Sequence, residues 1–254
     1  MNRAIIILIQ TLIVLGLFAG WEIGARTETI NPEWFSPPVL VVARLLREVA
    51  AGTFLVHIWA TTIETLVGFA AGVIGGVALG VVLGTMRRLR EVLMPYLLAV
   101  YGIPRPALAP VFVLWFGIGL FSKFALIFSL VYFLLVIYVI VGFRAVNPAP
   151  IAFARTTGAS RRQILFKIIV PSVMPYVFAG MKLGIGMAIV GAVVGEIIAS
   201  EAGLGYYIYQ SSQRADTAGI YVGLAALAVV SLVLVFAMEW LDRRLFHWRR
   251  EVVL

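Results

Sequence analysis

The amino-acid sequence predicts an all-α membrane protein with six transmembrane helices. Its 254 residues are 62% hydrophobic and only 13% charged, with a mean hydropathy of +1.04, whereas soluble domains are roughly half apolar and a quarter charged. The apolar residues fall into long runs of about the 20 residues that a helix needs to cross a bilayer. The alternating polarity of a transmembrane barrel is not seen, so helices are the structure left that can span a membrane.

The six predicted spans form a single transmembrane domain, residues 1–254. The first apolar run is longer than the core of a signal peptide, which is roughly 7 to 15 residues, and no small-x-small cleavage site precedes Glu28. We expect it to be retained as a variable first helix, before core helices within 60–240. The spans are predicted at about 4–24, 60–85, 92–118, 123–142, 176–199 and 219–240.

The composition excludes several kinds of site. The chain has no cysteine, which rules out disulfides, iron–sulfur clusters and thiolate zinc sites. Its two histidines, His57 and His247, are too far apart in sequence to indicate a metal motif. The net charge of +8 does not point to nucleic acid, because the basic residues lie between apolar runs rather than on a soluble face.

The lysines and arginines predict how the chain is oriented in the membrane. Thirteen of them fall on the side of the N-terminus and five on the opposite side, and the cytoplasmic side normally carries the excess. Both termini, the loop after the fourth span and a basic C-terminal tail of residues 242–254 are therefore expected in the cytoplasm. The five residues assigned to the outer side are Arg26, Arg44, Arg47, Lys123 and Arg214.

Residues 36–52, between the first two spans, are predicted to form an amphipathic helix at the outer interface. Val42, Leu45, Leu46 and Val49 recur at helical spacing opposite the charged residues of the segment. The segment is too short and too charged to cross the membrane. A packing role against the bundle and a contact with an extracytoplasmic receptor are both open.

The second span carries glycine at every fourth position. Small residues at this spacing form one continuous helix face on which a neighbouring backbone can approach closely. The face predicts a packing seam, either within the subunit or between two copies. The glycines are Gly68, Gly72, Gly76, Gly80 and Gly84.

The third span is predicted to be kinked or unwound near the middle of the membrane. Pro104, Pro106 and Pro110 remove three amide donors and disfavour helix at the preceding residues. Arg105 lies between two of them, at a depth where a charge is costly unless it faces the interior or a partner. Two interpretations remain open: an anion contact in a translocation path, and pairing with an intramembrane acid or snorkelling to the inner surface.

Glu196 lies towards the outer end of the fifth span. Acidic residues within spans mark pores and gates more often than lipid-facing surfaces, and Glu196 is the best placed of the intramembrane acids for such a role. We therefore take Glu196, with Pro104, Arg105 and Pro106, as the candidate translocation path.

The loop between the fourth and fifth spans, residues 147–175, is the longest basic and amphipathic interruption of the chain. Asn147 and Pro148 predict a helix cap and first helical position, and Gly158 suits the left-handed residue that ends a short helix. Ser160 and Gln163 form a capping box that starts a second helix. That helix has Ile164, Leu165, Ile168 and Ile169 on one face, Arg161, Arg162 and Lys167 away from it, and Pro171 and Pro175 closing it.

Two short helices joined by a glycine turn indicate a docking surface. The chain has no phosphate-binding or hydrolytic motif, so a nucleotide that drives transport must bind to another chain. An amphipathic helix can present its face to a groove on such a partner.

The run from Ala152 to Pro175 resembles the EAA loop in permease subunits of binding-protein-dependent ABC importers. Ala152 stands where that loop has glutamate, and Phe153 stands where it has a small residue, so the usual acidic contact with the ATPase does not carry over. The chain is most similar to the nitrate, sulfonate and taurine branch, in the run IPRPALAPVFVLWFGIGLFSK from Ile103, in Gly195 to Tyr206 and in the tail from Arg243.

The resemblance implies the type I ABC importer permease fold, with a cytoplasmic coupling-helix loop, in a bacterial inner membrane. It implies two ATP-binding subunits that hold ATP and magnesium, a second copy of the permease, an extracytoplasmic solute-binding protein and no cofactor in this chain. The solute would be a small anion such as a sulfonate, taurine, nitrate or an organic acid. The alternative is a secondary transporter or channel driven by an ion gradient. The coupling residues on this basis are Ala154, Gly158, Ala159, Ser160, Arg161, Gln163, Ile164, Leu165, Ile168 and Pro171.

Overall fold

The structure, a computed structural model, describes residues 3–31 and 33–245, which contain helices and no strands. The end of the predicted basic tail, with His247, Arg249 and Arg250, lies outside the described residues. The helices are α1 Arg3–Arg26, α2 Pro38–Ala51, α3 Thr53–Thr85, α4 Arg87–Tyr101, α5 Ala109–Phe116, α6 Leu120–Arg144, α7 Pro148–Thr156, α8 Arg161–Ile164, α9 Val170–Ala199, α10 Leu204–Gln213 and α11 Thr217–Leu245.

The described helices match the predicted spans in number and order. Five of them are long and apolar enough to cross a membrane, namely α1, α3, α6, the run Arg161–Ala199 and α11. The sixth span is a bent pair, α4 followed by Arg105–Phe116, with 78° between its halves. The break expected in the third span is therefore confirmed, and it consists of Gly102 to Pro104 and a 3-10 turn at Arg105–Leu108.

α6 is the centre of the bundle and packs between α3 and α9. The glycine face of α3 meets α6 at the same interval of four residues, with Gly72 against Val131 and Gly80 against Val139. A Cβ at Gly72 would lie only 2.6 Å from the Val131 Cβ, so the two helices are closer than any larger residue would allow. The predicted seam is confirmed, and it lies within the subunit.

The helix α1 is attached to the rest of the bundle at one end. Of its described side chains only Ala25 is buried, and its links to the rest lie at its end, where the Trp21 ring is 5.1 Å from that of Tyr221. Its remaining apolar side chains face outward, as lipid-facing residues of a peripheral span do.

The fifth span differs from its prediction at its beginning. Pro171 and Pro175 do not end the preceding helix, because α8, a π-helical turn at Leu165–Ile169 and α9 form one continuous helix of 39 residues. The wider π turn lies directly before Pro171, where it accommodates a residue that has no N–H to donate. The second helix of the loop is thus the first part of a membrane span.

The segment between the first two spans is helical as predicted, and one of its faces packs against the bundle. Val42 and Leu46 are exposed, whereas Val41 is buried and Leu45 packs against the core. The charged side of α2 faces the bundle, because Arg44 and Glu48 have partners on α10 and at the start of α11. The inward face of α2 therefore combines two apolar side chains, Val41 and Leu45, with the paired charges of Arg44 and Glu48.

Candidate functional site

The loop of residues 147–169, called here the coupling loop, is built by local hydrogen bonds. Asn147 Oδ1 accepts the Ala149 N–H at 2.9 Å and caps α7. Ser160 and Gln163 form the predicted capping box, with Gln163 N donating to Ser160 Oγ at 3.2 Å and Ser160 N donating to Gln163 Oε1 at 2.8 Å. Gly158 has φ +81° and open space around it, which confirms the predicted left-handed turn between the two helices.

The apolar face predicted for the second helix of the coupling loop is turned largely towards its own subunit. Ile164 is 6% exposed, and Ile169 packs against the core. The large apolar side chains left exposed are Phe153, at 72%, and Phe166, at 59%. A groove of about 320 Å³ separates the two helices, lined by Ala154, Thr157, Gly158, Ala159, Gln163, Ile164, Lys167 and Ile168.

The exposed charge of the coupling loop has one sign. Arg155, Arg161, Arg162 and Lys167 are exposed, and the segment from 147 to 169 contains no aspartate or glutamate. The Arg162 guanidinium lies 6.0 Å from the Phe166 ring. The loop thus exposes four cations and two aromatic side chains, of which Phe166 lies beside a cation. The sequence prediction followed only the aliphatic stripe and missed the aromatic side chains.

The break in the third span is organised by Arg105. Its Nη1 donates to the carbonyls of Tyr101 and of Ile103, the latter at 2.8 Å, so it satisfies acceptors that the end of α4 leaves free. The guanidinium lies 4.7 Å from the Phe133 ring and 5.3 Å from the Tyr101 ring, within the range of cation–π attraction.

Arg105 is also incompletely satisfied. The residue is 6% exposed, its Nη2 has no hydrogen-bond partner, and no carboxylate pairs with it in the part of the chain that the structure describes. Pro104 and Pro106, on either side, are exposed. Of the two interpretations of Arg105, pairing with an intramembrane acid is not found among the described residues.

Glu196 belongs to a buried group of polar residues that joins α3, α6 and the start of α10. It is 0% exposed, and its carboxylate accepts the Thr61 hydroxyl at 2.6 Å and the Gly205 N–H at 2.6 Å. The same Thr61 hydroxyl accepts the Leu204 N–H at 2.8 Å. Glu196 thus holds the turn after its own helix and does not line an open space in this conformation.

An ion pair that the sequence analysis missed lies beside Glu196. Lys123 is 5% exposed and pairs with Glu64, which is 7% exposed. The Lys123 Nζ also donates to Ser200 Oγ at 2.9 Å, in the turn that leads to α10. We call these residues the outer polar network, where outer means the end of the bundle away from residues 147–169: Thr61, Glu64, Lys123, Glu196, Ser200, Gly203 and Gly205.

The burial of Lys123 had a signal in the sequence. Glu64 stands four residues before Gly68, on the glycine face of α3, and Lys123 stands four residues before Ile127, which contacts Gly68. The ion pair therefore continues the α3–α6 seam by one interval. The position of Lys123 at the start of an apolar run had instead led to the prediction that it lies on the outer side of the membrane.

A second ionic cluster ties α2 to the end of the bundle. Arg44 Nη1 lies 2.5 Å from Asp216 Oδ1, and its Nε lies 2.9 Å from Glu48 Oε1. The Tyr207 hydroxyl donates to Glu48 at 2.7 Å. The Arg44 guanidinium holds the pKa of Asp216 below its ordinary value, with a smaller contribution from the Gly219 N–H.

The chain is similar to known proteins over most of its length. Residues 72–247 match the family described as binding-protein-dependent transport system inner membrane component. The chain is 30% identical to the formylaminopyrimidine transport permease protein of Halalkalibacterium halodurans, over 99% of this chain and 100% of that protein. It is 29% identical to the taurine transport system permease protein of Escherichia coli, over 99% of this chain and 93% of that protein.

Two further similarities cover the same helices. The riboflavin transport system permease protein of Chloroflexus aurantiacus is 37% identical, over 94% of this chain and 88% of that protein. Among solved structures, the inward-facing MetNI methionine ABC transporter matches with a TM-score of 0.68 at 19% identity, over 78% of this chain and 98% of that chain. The match to this structure shows a shared fold. The residues that match the family begin at 72, within α3, so α1 and α2 lie outside the family region.

Proposed function

The chain belongs to the family of binding-protein-dependent transport system inner membrane components, and from that premise we propose how it works. It is a multi-pass inner-membrane permease of an ABC importer. We propose that ATP and magnesium act in two partner ATP-binding subunits, that two copies of this chain form the pore, and that a receptor outside the membrane delivers the solute. The coupling loop and both termini face the cytoplasm in this proposal, which the excess of lysine and arginine supports.

The continuity of the loop with the fifth span is the observation that carries the coupling proposal. The second loop helix, from Arg161, runs without interruption to Ala199, and Glu196 lies near its far end. A displacement of the loop by the ATP-binding subunits therefore moves one end of a helix whose other end is anchored in the outer polar network.

The charge of the coupling loop indicates what the partner surface is like. Ala152, in place of the family glutamate, is exposed and offers no charge, while the same loop exposes four cations together with Phe153 and Phe166. We propose that the ATP-binding subunit presents an apolar pocket with an acidic rim, since opposite charges steer and align such contacts. The residues predicted for this contact that line the groove are Ala154, Gly158, Ala159, Gln163, Ile164 and Ile168.

The coupling proposal is tested at Gly158. We expect Gly158→Leu to leave the transporter in the membrane and still hydrolysing ATP, but to take up much less solute per ATP, because a Cβ resists the left-handed turn. Gly52→Leu is the matched control: Gly52 has φ +79° and open space, but it lies between α2 and α3. Equal uptake per ATP in the Gly158 variant and the wild type, assayed in proteoliposomes, would refute the coupling role.

We propose that the solute is a small anion and that the path passes the break in the third span. Arg105 Nη1 is held by two carbonyls, whereas Nη2 has no hydrogen-bond partner, and this free donor supports a contact with a negative group. Pro104 and Pro106 shape the same break. Glu196 contributes by holding the turn at Ser200 to Gly203, beside the outer end of the path. Sulfonates and taurine, named for relatives of this chain, are anionic or carry an anionic group.

The path proposal is tested at Arg105. We expect Arg105→Leu to reduce uptake of a sulfonate more than it reduces the amount of folded protein, and Arg105→Lys to retain part of the uptake. Both variants are measured for uptake and for monodisperse yield in detergent. If uptake falls only in proportion to the amount of folded protein, the role of Arg105 is structural, namely to hold the end of α4.

A further inference from the structure

A pocket of about 430 Å³ lies where α3 turns into α4, beside the end of α6. It is on the same side of the bundle as the coupling loop, because α7 follows directly after α6. The side chains from α4 and α6 that line it are Arg87, Arg90, Glu91, Met94, Ile140 and Arg144.

The pocket carries more positive than negative charge. Its one carboxylate, Glu91, accepts from Arg87 Nε at 2.8 Å. Arg90 Nη1 lies 3.5 Å from the Gly84 carbonyl, at the limit of a hydrogen bond. No carboxylate pairs with Arg90 or Arg144 within residues 3–31 and 33–245. Two arginines from two different helices are therefore available to one negative ligand.

The position and floor of the pocket restrict what that ligand is. The apolar span of α3 ends at Thr85 and that of α6 ends at Arg144, so the arginines lie at the level where both helices leave the bilayer core. Below them the pocket is lined by Met94 and by Ile140, which is 1% exposed. A cationic rim over an apolar floor fits a molecule with a phosphate at one end and hydrocarbon at the other.

We propose that this arginine pocket binds the headgroup phosphate of an anionic phospholipid from the leaflet on the coupling-loop side. Arginine forms paired hydrogen bonds to phosphate oxygens, and basic pockets between transmembrane helices hold lipid headgroups. The glycerol and upper acyl chain lie against Met94 and Ile140. The lipid bridges α4 and α6, and so braces the first half of the broken span against the central helix.

The proposal is tested with the assembled transporter in nanodiscs of phosphatidylcholine, with or without phosphatidylglycerol, followed by native mass spectrometry of the retained lipid. We expect phosphatidylglycerol to be retained preferentially, and Arg90→Gln and Arg144→Gln each to weaken retention about fivefold. Arg144→Lys keeps the charge and retains most of it. Arg88→Gln is the matched control, because Arg88 is exposed on the same turn but does not line the pocket.

Three results would overturn the proposal. Equal retention in the Arg88, Arg90 and Arg144 variants would assign the lipid to general surface charge. Displacement of the lipid by millimolar inorganic phosphate would assign the pocket to a soluble anion. Loss of the ATP-binding subunit from the Arg144→Gln complex, with lipid retention unchanged, would make the pocket a protein contact.

Discussion

The coupling loop and the outer polar network lie near opposite ends of one helix, and they are held in opposite ways. The loop is exposed, and its hydrogen bonds join residues two to five positions apart, such as Ser160 with Gln163 and Ala159 with Ala154. The network is buried, and its bonds join residues far apart in sequence, such as Lys123 with Glu64 and Thr61 with Glu196.

The coupling loop and the outer polar network therefore differ in the free energy that it costs to disturb them. An exposed cap contributes about 1 kcal/mol to the helix it starts, and water replaces it easily. A buried charge that loses its partner costs roughly 3–5 kcal/mol, because nothing in the apolar interior replaces that partner. Under the proposed coupling, a docking partner can therefore shift the coupling loop without unfolding the bundle, while the network keeps α3, α6 and α9 together at the end away from the loop.

The largest expected effect is at the buried ion pair. Lys123→Met leaves the Glu64 carboxylate buried and unpaired, and we expect a loss of about 3–5 kcal/mol in the free energy of unfolding, measured by thermal unfolding in detergent. Lys182→Met is the control, since the Lys182–Asp242 pair is 40% and 21% exposed and exposed pairs contribute about 0–1 kcal/mol. Recovery of stability in the double variant Glu64→Leu/Lys123→Met would confirm that the unpaired charge is the cause. Equal losses of stability in Lys123→Met and in the control Lys182→Met would contradict it.

The next effect compares two glycines with positive φ. Gly203 has φ +123°, and a Cβ there would overlap the Glu196 carboxylate, so we expect Gly203→Ala to destabilise the protein by roughly 2–3 kcal/mol. Gly158→Ala meets open space and should cost about 1 kcal/mol from backbone conformation alone. Melting temperatures of the two variants measure the difference, and a Gly158 variant that is as unstable as the Gly203 variant would remove the contrast between the two regions.

A smaller effect is expected at the capping box. Ser160→Ala removes the acceptor for the Gln163 N–H, and we expect about 1 kcal/mol of local helix stability to be lost without a change in the global melting temperature. Hydrogen exchange at residues 161–164 should accelerate, while exchange in α10 stays the same. Faster exchange in α10 would mean that the two regions are not independent in stability.

The smallest effect concerns pH and an ion pair outside the buried network. The pKa of Asp216 is lowered mainly by Arg44, so the contribution of this pair is complete above the ordinary aspartate pKa of about 3.9 and is lost as pH falls through the lower folded value. Both side chains are near 30% exposed, at 31% and 28%, which limits the contribution to about 1 kcal/mol. We expect Asp216→Asn to lower the melting temperature slightly at pH 7 and by less at pH 3. An equal difference at both pH values would rule out ionisation as the cause.

The sequence predicted the parts of the structure that depend on neighbouring residues. The caps at Asn147 and Ser160, the turn at Gly158 and the break around Pro104 all follow from backbone geometry within a few positions. The glycine seam was predicted as well, because glycine at every fourth position of a helix indicates close packing against another helix, whichever helix that is.

Pairings between distant segments could not be predicted in the same way. In an apolar span every face resembles every other, and the spacing that continues the α3–α6 seam to Lys123 and Glu64 has a meaning only once Ile127 is known to contact Gly68. The inward face of α2 was left open for a related reason: Arg44 pairs with Asp216, which is 172 positions away. Pro171 and Pro175 were wrongly expected to end a helix, because the π turn that absorbs them is a response of the backbone and has no sequence signature.

The continuous helix from Arg161 to Ala199 sets the mechanical reach of the molecule. At 1.5 Å per residue its 39 residues extend about 58 Å, roughly twice the thickness of the hydrocarbon core of a bilayer. Under the proposed coupling, a push at the loop reaches Glu196 only through the π turn at Leu165–Ile169 and the two prolines after it, each of which leaves out one hydrogen bond. The stiffness of those few residues would then decide how much of the push arrives at Glu196 and how much is lost in bending.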